Sequence, residues 1–325
     1  MKQGKLTNEQ LNQIVLSHLH KRRSETAIGP AVGEDCAVMH WDADLLVMTT
    51  DPITAAAKGA GSLAVDVCCN DIASAGAEPV ALLLTLLVPP SAEVSDIEAV
   101  VCDAERAANA VGADIVGGHT EITDAVTRII ISATAIGRAK KRVVSTSGMR
   151  SGDAIVMTKY AGLEGTLILA RDFHDRLQKT LPDALLSDCR RLADCLSVLP
   201  ESRIAARFGA TAMHDITEGG VYGAVWEMAH ASSCGAVIEK DKIPMLESTR
   251  LICREMALDP YRLISSGCLL IACPDGKALC GALQKEGIPC AQIGTATDEG
   301  VYLQTEKELL PLDPPGADEI YKMNF

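Results

Sequence analysis

The chain has 325 residues, 48% of them hydrophobic and 22% charged, with a formal net charge of −13. That suits a globular protein of about two domains, and the negative balance argues against nucleic acid or an anionic membrane as main partner. Aromatic residues make up only 3%, so the core has to be built from Ala, Val, Leu, Ile and Cys, and base-stacking platforms are not expected.

The opening Met1-Lys2-Gln3-Gly4-Lys5 is followed by no apolar run, so no signal peptide is expected. The longest apolar stretch, 80–88, is far short of the roughly 20 residues of a membrane helix, and the expected location is the cytoplasm. Thr7-Asn8-Glu9-Gln10 reads as a capping box for a helix with Leu11, Ile14, Val15 and Leu19 on one face. A loop over 28–35 leads to strands at 36–40 and 45–50. A helix is expected over 63–75, with Ser62 as N-cap and Gly76 just past its end. Residues 80–88 read as a strand buried on both faces, stopped by Pro89-Pro90. Ser95-Asp96-Ile97-Glu98 is a second capping box. A short strand at 114–116 ends in Gly117-Gly118-His119-Thr120, and 128–137 is another strand.

Lys140-Lys141-Arg142 and Ser145-Thr146-Ser147-Gly148 mark a change of character, which divides the chain into domains 1–148 and 149–325. Beyond it, strands are expected at 154–158, 210–214, 236–238, 268–272 and 292–294, and helices at 164–173, 183–199 and 221–232. Strands and helices alternate in both halves, which predicts an α/β protein of two layered domains. The twelve cysteines show no C-x-x-C spacing, and many lie in apolar runs, so they read as reduced core residues.

The expected helix 63–75 holds a polar pair, Asn70-Asp71, among small apolar side chains and contains no Lys or Arg. A buried carboxylate costs several kcal/mol unless something positive meets it. Its partner is therefore a distant basic residue or a bound cation. Asp35 closes a glycine-containing loop, while Asp51 and Asp215 end apolar strands, where α/β folds present functional groups. Together with Asp71 they suggest a shared Mg²⁺ site, since Mg²⁺ prefers carboxylate and phosphate oxygens. The phosphate-cradling candidates are 29–33, which includes Gly33, then Gly117-Gly118-His119-Thr120 and Gly219-Gly220. There is no Walker A loop, and Gly59-Ala60-Gly61-Ser62-Leu63-Ala64 lacks the strand that a dinucleotide fingerprint needs directly before it. His119 is either a phosphate donor or proton-transfer group, or a structural loop histidine. Lys159, at a strand end, is a candidate to neutralise phosphate.

Several segments resemble, in order, the motifs of the aminoimidazole ribonucleotide (AIR) synthase superfamily. Gly33-Glu34-Asp35-Cys36-Ala37-Val38 resembles its G-D-D-A-A-V, and Thr49-Thr50-Asp51 its T-T-D. Asn70-Asp71-Ile72 with Gly76-Ala77-Glu78-Pro79 is similar to N-D-[LI]…G-A-x-P. Gly117-Gly118-His119-Thr120 resembles G-G-[DEH]-T, and Asp215-Ile216-Thr217-Glu218-Gly219-Gly220 resembles D-x-T-x-G-G. The resemblance implies a PurM-like N-terminal domain that dimerises through its sheet, a PurM-like C-terminal domain, ATP and Mg²⁺. It implies Asp35, Asp51, Asp71 and Asp215 as metal ligands. Gly33, Asp51, Asn70, Gly117, Gly118, Thr120 and Lys159 are then the candidates for binding ATP, and Asp71 and His119 for catalysis.

The chain departs from individual members. It ends Tyr321-Lys322-Met323-Asn324-Phe325, without the terminal cysteine that carries the carbamoyl group in HypE. His119 stands in the G-G-D-T of thiamine monophosphate kinase, and 29–33 lacks the Cys and Lys of selenophosphate synthetase. The AIR synthase-related, HypE-like group is the nearest match. The implied activity is Mg²⁺-dependent use of ATP to activate an oxygen, of an amide or acid, on a small-molecule substrate. The alternative is an ATP-binding maturation or regulatory factor acting through a protein partner.

Overall fold

A computed structural model describes residues 8–10, 26–28, 31–41, 44–54, 59–140 and 142–323. The capping-box helix begins as α1 (Asn8–Gln10), and its expected face at 11–19 lies outside the described residues. The described residues fall into two compact units. The first runs within 35–143 and includes 26–28; the second runs within 144–323 and includes 8–10 and 31–34. The junction falls at Val143/Val144, ahead of the expected 148/149. The 3-10 turn Thr146–Gly148 is already tied into the second unit: Thr146 Oγ1 donates to the Met213 carbonyl and Ser232 Oγ to the Thr146 carbonyl, both at 3.1 Å.

The first unit contains β1 (Thr26–Ile28), β2 (Ala37–Trp41), β3 (Asp44–Ile53), α2 (Ala60–Ser74), β4 (Glu78–Val88), α3 (Val94–Val111), β5 (Asp114–Ile122) and β6 (Ile130–Ala139). Its strands are ordered β1-β2-β3-β6-β4-β5, so among the described residues β5 is an edge strand paired with β4 alone. Both helices lie on one face. Val47, Leu82, Ile131, Ala133 and Ala135 point to that face and are fully buried. The expectation that 80–88 is buried on both faces is therefore corrected. Alternate residues of β4 stay uncovered, with Val80 46% and Leu83 40% exposed, because the helices shield a single side.

Helix α2 also starts earlier than expected, at Ala60 behind Gly59. Ser62 is not its cap; its hydroxyl reaches the Asp103 carbonyl on α3 instead. The capping box of α3 is built two residues upstream, from Glu93 and Asp96, with Glu93 N donating to Asp96 Oδ2 at 2.9 Å.

The second unit contains β7 (Ala154–Thr158), α4 (Leu163–Asp172), α5 (His174–Leu177), α6 (Asp183–Asp188), α7 (Leu199–Phe208), β8 (Ala212–Ile216), α8 (Gly220–Ala231), β9 (Gly235–Glu239), α9 (Glu247–Met256), β10 (Cys268–Cys273), α10 (Gly276–Lys285), β11 (Cys290–Thr297), β12 (Val301–Gln304) and β13 (Leu309–Pro311). The sheet order is β13-β12-β9-β11-β7-β10-β8. The single helix expected over 183–199 is broken: α6 gives way to a 3-10 segment, Cys189–Cys195. Leu185, Leu186, Cys189 and Leu192 nevertheless keep to the same core, against Leu169 of α4 and Ile252 of α9. The cysteines are free thiols, and Cys36, Cys68, Cys69, Cys189, Cys253, Cys268 and Cys273 are buried. Among the described residues, no helix is long and apolar enough to cross a membrane.

Candidate functional site

In the first unit the acids gather around the last two turns of α2. Cys68, Asp71 and Ser74 recur every three residues and so share one side of the helix. Thr49 and Asp51, two apart on β3, share the sheet face that the helix covers: the ladder pairs them with Ala135 and Ala133, both fully buried. Thr49 Oγ1 donates to Asp71 Oδ2 at 2.5 Å. Ser74 Oγ reaches Asp35 Oδ2 at 3.1 Å and the Asp71 carbonyl at 2.7 Å. The Cys36 thiol donates to that same carbonyl at 3.1 Å. Burial first, then the charges of Asp71 and Asp51, push the Cys68 thiol far above its ordinary range, so both carboxylates act on one buried sulfur. Cys69 is likewise pushed up to about 12, mainly by burial. Neither thiol is a nucleophile at neutral pH.

Asp35, Asp51 and Asp71, three of the four predicted metal ligands, thus lie around one side of α2: Ser74 links Asp35 to Asp71, and Asp51 and Asp71 both act on Cys68. Asn70 is fully buried beside them in sequence. The donors are carboxylate oxygens, with Thr49 and Ser74 hydroxyls orienting them, and such a set suits a hard cation such as Mg²⁺. Thr49 and Ser74 were not among the predicted site residues. The period of two in Thr49-Thr50-Asp51 was the signal for Thr49, and the helical spacing from Asp71 was the signal for Ser74.

The glycine motif is placed differently from expectation. Residues 117–120 are not a loop after a strand but part of β5 itself. The row Asp51–Ala133–Leu84–Gly118 crosses the sheet at one level, which sets Gly118 three strand spacings, about 14 Å, from Asp51. Gly118 has φ +148°, and a Cβ there would lie 1.9 Å from the Leu84 carbonyl oxygen, so no side chain fits. Thr120 aligns with Leu86 on the helix side. His119 aligns with Thr85, an exposed residue of the uncovered side, and its ring is 70% exposed, 3.8 Å from Glu121. The structure therefore does not bring His119 to the acids.

In the second unit, Asp215 is buried at the end of edge strand β8, paired with Leu269. Its neighbour His214 meets Glu227 of α8 at 3.2 Å. Gly33 groups with this unit, where a Cβ would lie 3.2 Å from Ala231 and from the Glu227 carbonyl. Lys159 is a correction. Its ammonium, expected to face phosphate, lies 2.6 Å from Glu201 Oε1 and donates to the Ser197 and Gly267 carbonyls at 2.6 and 2.7 Å. All three of its donors are committed inside the unit.

Two family models match this chain. "AIR synthase related protein, N-terminal domain" covers residues 33–139, and "AIR synthase related protein, C-terminal domain" covers 150–305. The chain belongs to the AIR synthase related family. A hydrogenase expression/formation protein of Methanocaldococcus jannaschii is 29% identical over 98% of this chain and 96% of its own length. Carbamoyl dehydratase HypE of Rhodobacter capsulatus is 28% identical over 83% of this chain and 78% of its own. Among solved structures, a hydrogenase maturation protein HypE in complex with ATP superposes with a TM-score of 0.74 at 23% identity, covering 97% of this chain and 94% of that one. These family models confirm the two expected α/β domains of PurM type.

Proposed function

We propose that this protein is an ATP-dependent enzyme that uses Mg²⁺ to activate an oxygen, of an amide or acid, on a small molecule by phosphoryl transfer. The observation that carries this is the joining of Asp71 to the T-T-D segment within β3 through Thr49, with Asp51 on the same sheet face. Family membership supplies the nucleotide, and the relatives named carbamoyl dehydratase supply the class of oxygen-removing chemistry. Asp35, Asp51 and Asp71 would hold Mg²⁺, which supplies charge neutralisation for the phosphates when bound. The role of the chain's own groups is to fix those carboxylates before substrate arrives, since phosphoryl transfer is catalysed largely by positioning and electrostatics. Gly118 and Thr120, on the same face of β5, are the proposed phosphate-side contacts, and Asn70 and Gly117 remain their candidate neighbours. Asp215 is the second unit's candidate ligand.

The uncovered sheet face supports a homodimer as the working form. Leu83, Thr85, Ser132, Thr134 and Ile136 alternate out of β4 and β6 onto that face, where a second copy's sheet would cover them. A second reading, a maturation factor working through a protein partner, is favoured by the M. jannaschii relative, whose name places it in hydrogenase formation.

Calorimetric titration with ATP, with and without Mg²⁺, tests the nucleotide reading. Binding is expected to be tighter with Mg²⁺, and the Mg²⁺ dependence is expected to vanish in Asp71→Asn. No heat in either titration sinks the proposal.

A further inference from the structure

Two cysteines of the second unit meet where α10 hands over to β11. Leu279 and Leu283 bury one side of α10, and beyond its end Gly287 turns the chain at φ +75°. Ile288 N returns to the Leu283 carbonyl at 3.1 Å and Gly287 N to the Gln284 carbonyl at 3.0 Å, the pair of bonds that closes a helix on a glycine. The chain then runs back along the helix as β11, which begins at Cys290. At Gly276, the first residue of α10, a Cβ would lie 2.7 Å from Gln292 Oε1, so the two elements pass in opposite directions. One turn into the helix, Cys280 comes level with Cys290. The Cys290 thiol faces both the Cys280 carbonyl, at 3.6 Å, and the Cys280 sulfur, which also takes a hydrogen bond from the Gln292 backbone N–H.

Both thiols are partly exposed, whereas Cys189, Cys253, Cys268 and Cys273 of the same unit are buried. The two are not equivalent. The hydrogen bond from Cys290, above all, lowers the Cys280 thiol from its ordinary value, and the same bond raises the Cys290 thiol. Cys280 is therefore the first of the pair to ionise, and the thiolate is the form that attacks an oxidant. Cys102 and Cys195 are more exposed than either. Accessibility alone would direct an oxidant to those two, and only the pairing of sulfurs directs it to Cys280.

We infer that Cys280 and Cys290 form a reversible redox pair, oxidised to a disulfide by hydroperoxides. The Cys280 thiolate attacks one peroxide oxygen and the O–O bond breaks. The departing alkoxide or hydroxide takes up a proton, and Cys280 is left as a sulfenic acid. The Cys290 sulfur then attacks the Cys280 sulfur. The S–S bond forms, the S–O bond breaks, and the hydroxide leaves as water with the Cys290 proton. The two thiols together give up two electrons, and the peroxide takes them. The disulfide closes the turn 280–290 and pins α10 to β11, the strand between β9 and β7. This site is independent of the nucleotide proposal.

The test uses the full chain without ATP or Mg²⁺, treated with a small excess of hydrogen peroxide and blocked with N-ethylmaleimide before it is unfolded. Tryptic cleavage after Lys285 separates the two cysteines. Peptide mapping without reductant should show the Cys280 peptide joined to the Cys290 peptide, with the loss of two hydrogens, and dithiothreitol should separate them. In Cys290→Ser, where the hydroxyl keeps a donor beside Cys280, the disulfide should be absent and dimedone should trap a sulfenic acid on Cys280. In Cys280→Ser, Cys290 should stay reduced. Oxidation of Cys102 or Cys195 while Cys280 and Cys290 stay reduced overturns the proposal. So does a wild-type chain in which both thiols still react with N-ethylmaleimide after unfolding. The wild-type map decides the matter even if a variant does not fold.

Discussion

Thr49 and Asp71 are 22 residues apart in the chain, and the hydroxyl of one donates to the carboxylate of the other at 2.5 Å. The bond locks the middle of β3 to the last turn of α2 and aims the remaining lone pairs of Asp71. Asn at position 71 keeps an oxygen for Thr49 and loses the charge. Asp71→Asn is therefore expected to fold with a Tm close to wild type while ATP turnover falls by about 10²-fold or more. Thr49→Val should cost about 1–2 kcal/mol of stability, because it leaves the buried carboxylate short of a donor. Denaturant titration and an ATPase assay separate the two effects; full turnover in Asp71→Asn contradicts the metal-site assignment.

Lys159 gives the opposite pattern. Removing one member of a buried ion pair costs about 3–5 kcal/mol, and Glu201 is 1% exposed. Lys159→Met should unfold at much lower denaturant, yet the folded fraction should bind ATP as wild type does. Weakened ATP affinity with unchanged stability would restore the phosphate role.

At Gly118 the backbone itself excludes a side chain. Gly118→Ala forces a Cβ onto the Leu84 carbonyl, with strain of about 1–3 kcal/mol or separation of β5 from β4. Hydrogen exchange of the β4–β5 amides should accelerate in the variant, with the second unit's sheet unchanged.

The uncovered sheet face predicts self-association. Ile136→Glu places a charge at the centre of that face without touching the helix-covered core, since Ile136 points away from Ala135 and Gly137. Sedimentation equilibrium should show a dimer for wild type and a monomer for the variant. A wild-type monomer at all concentrations refutes the dimer.

Glu164 carries a pH prediction. Burial, above all, raises its carboxyl from 4.5 to about 7 in the folded state, so the folded chain holds more protons than the unfolded one across that window. Stability contributed by this group is present below about 4.5 and is lost as pH rises through about 7, a change on the order of a few kcal/mol. Asp318, raised to about 6, has the same sign. Glu164→Gln should therefore be more stable than wild type at pH 8 and show no advantage at pH 4.5. Parallel stability curves for the two proteins would rule this out.

Much of the architecture was legible because short-range signals agree with the tertiary outcome. Alternation and helical stripes located β3, α2, α3, β7 and α8 to within a few residues. The apolar run 80–88 misled, because a sheet face awaiting a partner and one covered by helices have the same composition. Lys159 misled for a related reason: a lysine at a strand end looks solvent-facing until Glu201 folds beneath it from α7. The carboxylates of the first unit were legible one by one, but Ser74 as the link between Asp35 and Asp71 depends on the last turn of α2 meeting the segment that leads into β2. Glu164 and Asp318 carried no local signal, since the charge interaction between them is a long-range event between α4 and the C-terminal segment.

The position of Gly117-Gly118-His119-Thr120 on an edge strand has a thermodynamic consequence. Among the described residues strand β5 pairs with one neighbour, so it belongs to the part of the sheet that opens first in local unfolding. Any ligand that needs Gly118 and Thr120 in place must also keep β5 docked, and part of its binding energy goes into that ordering. Affinity then depends on the β4–β5 ladder as a whole, and substitutions at Leu84 or Leu86 that never touch the ligand will weaken it through the population of the docked strand.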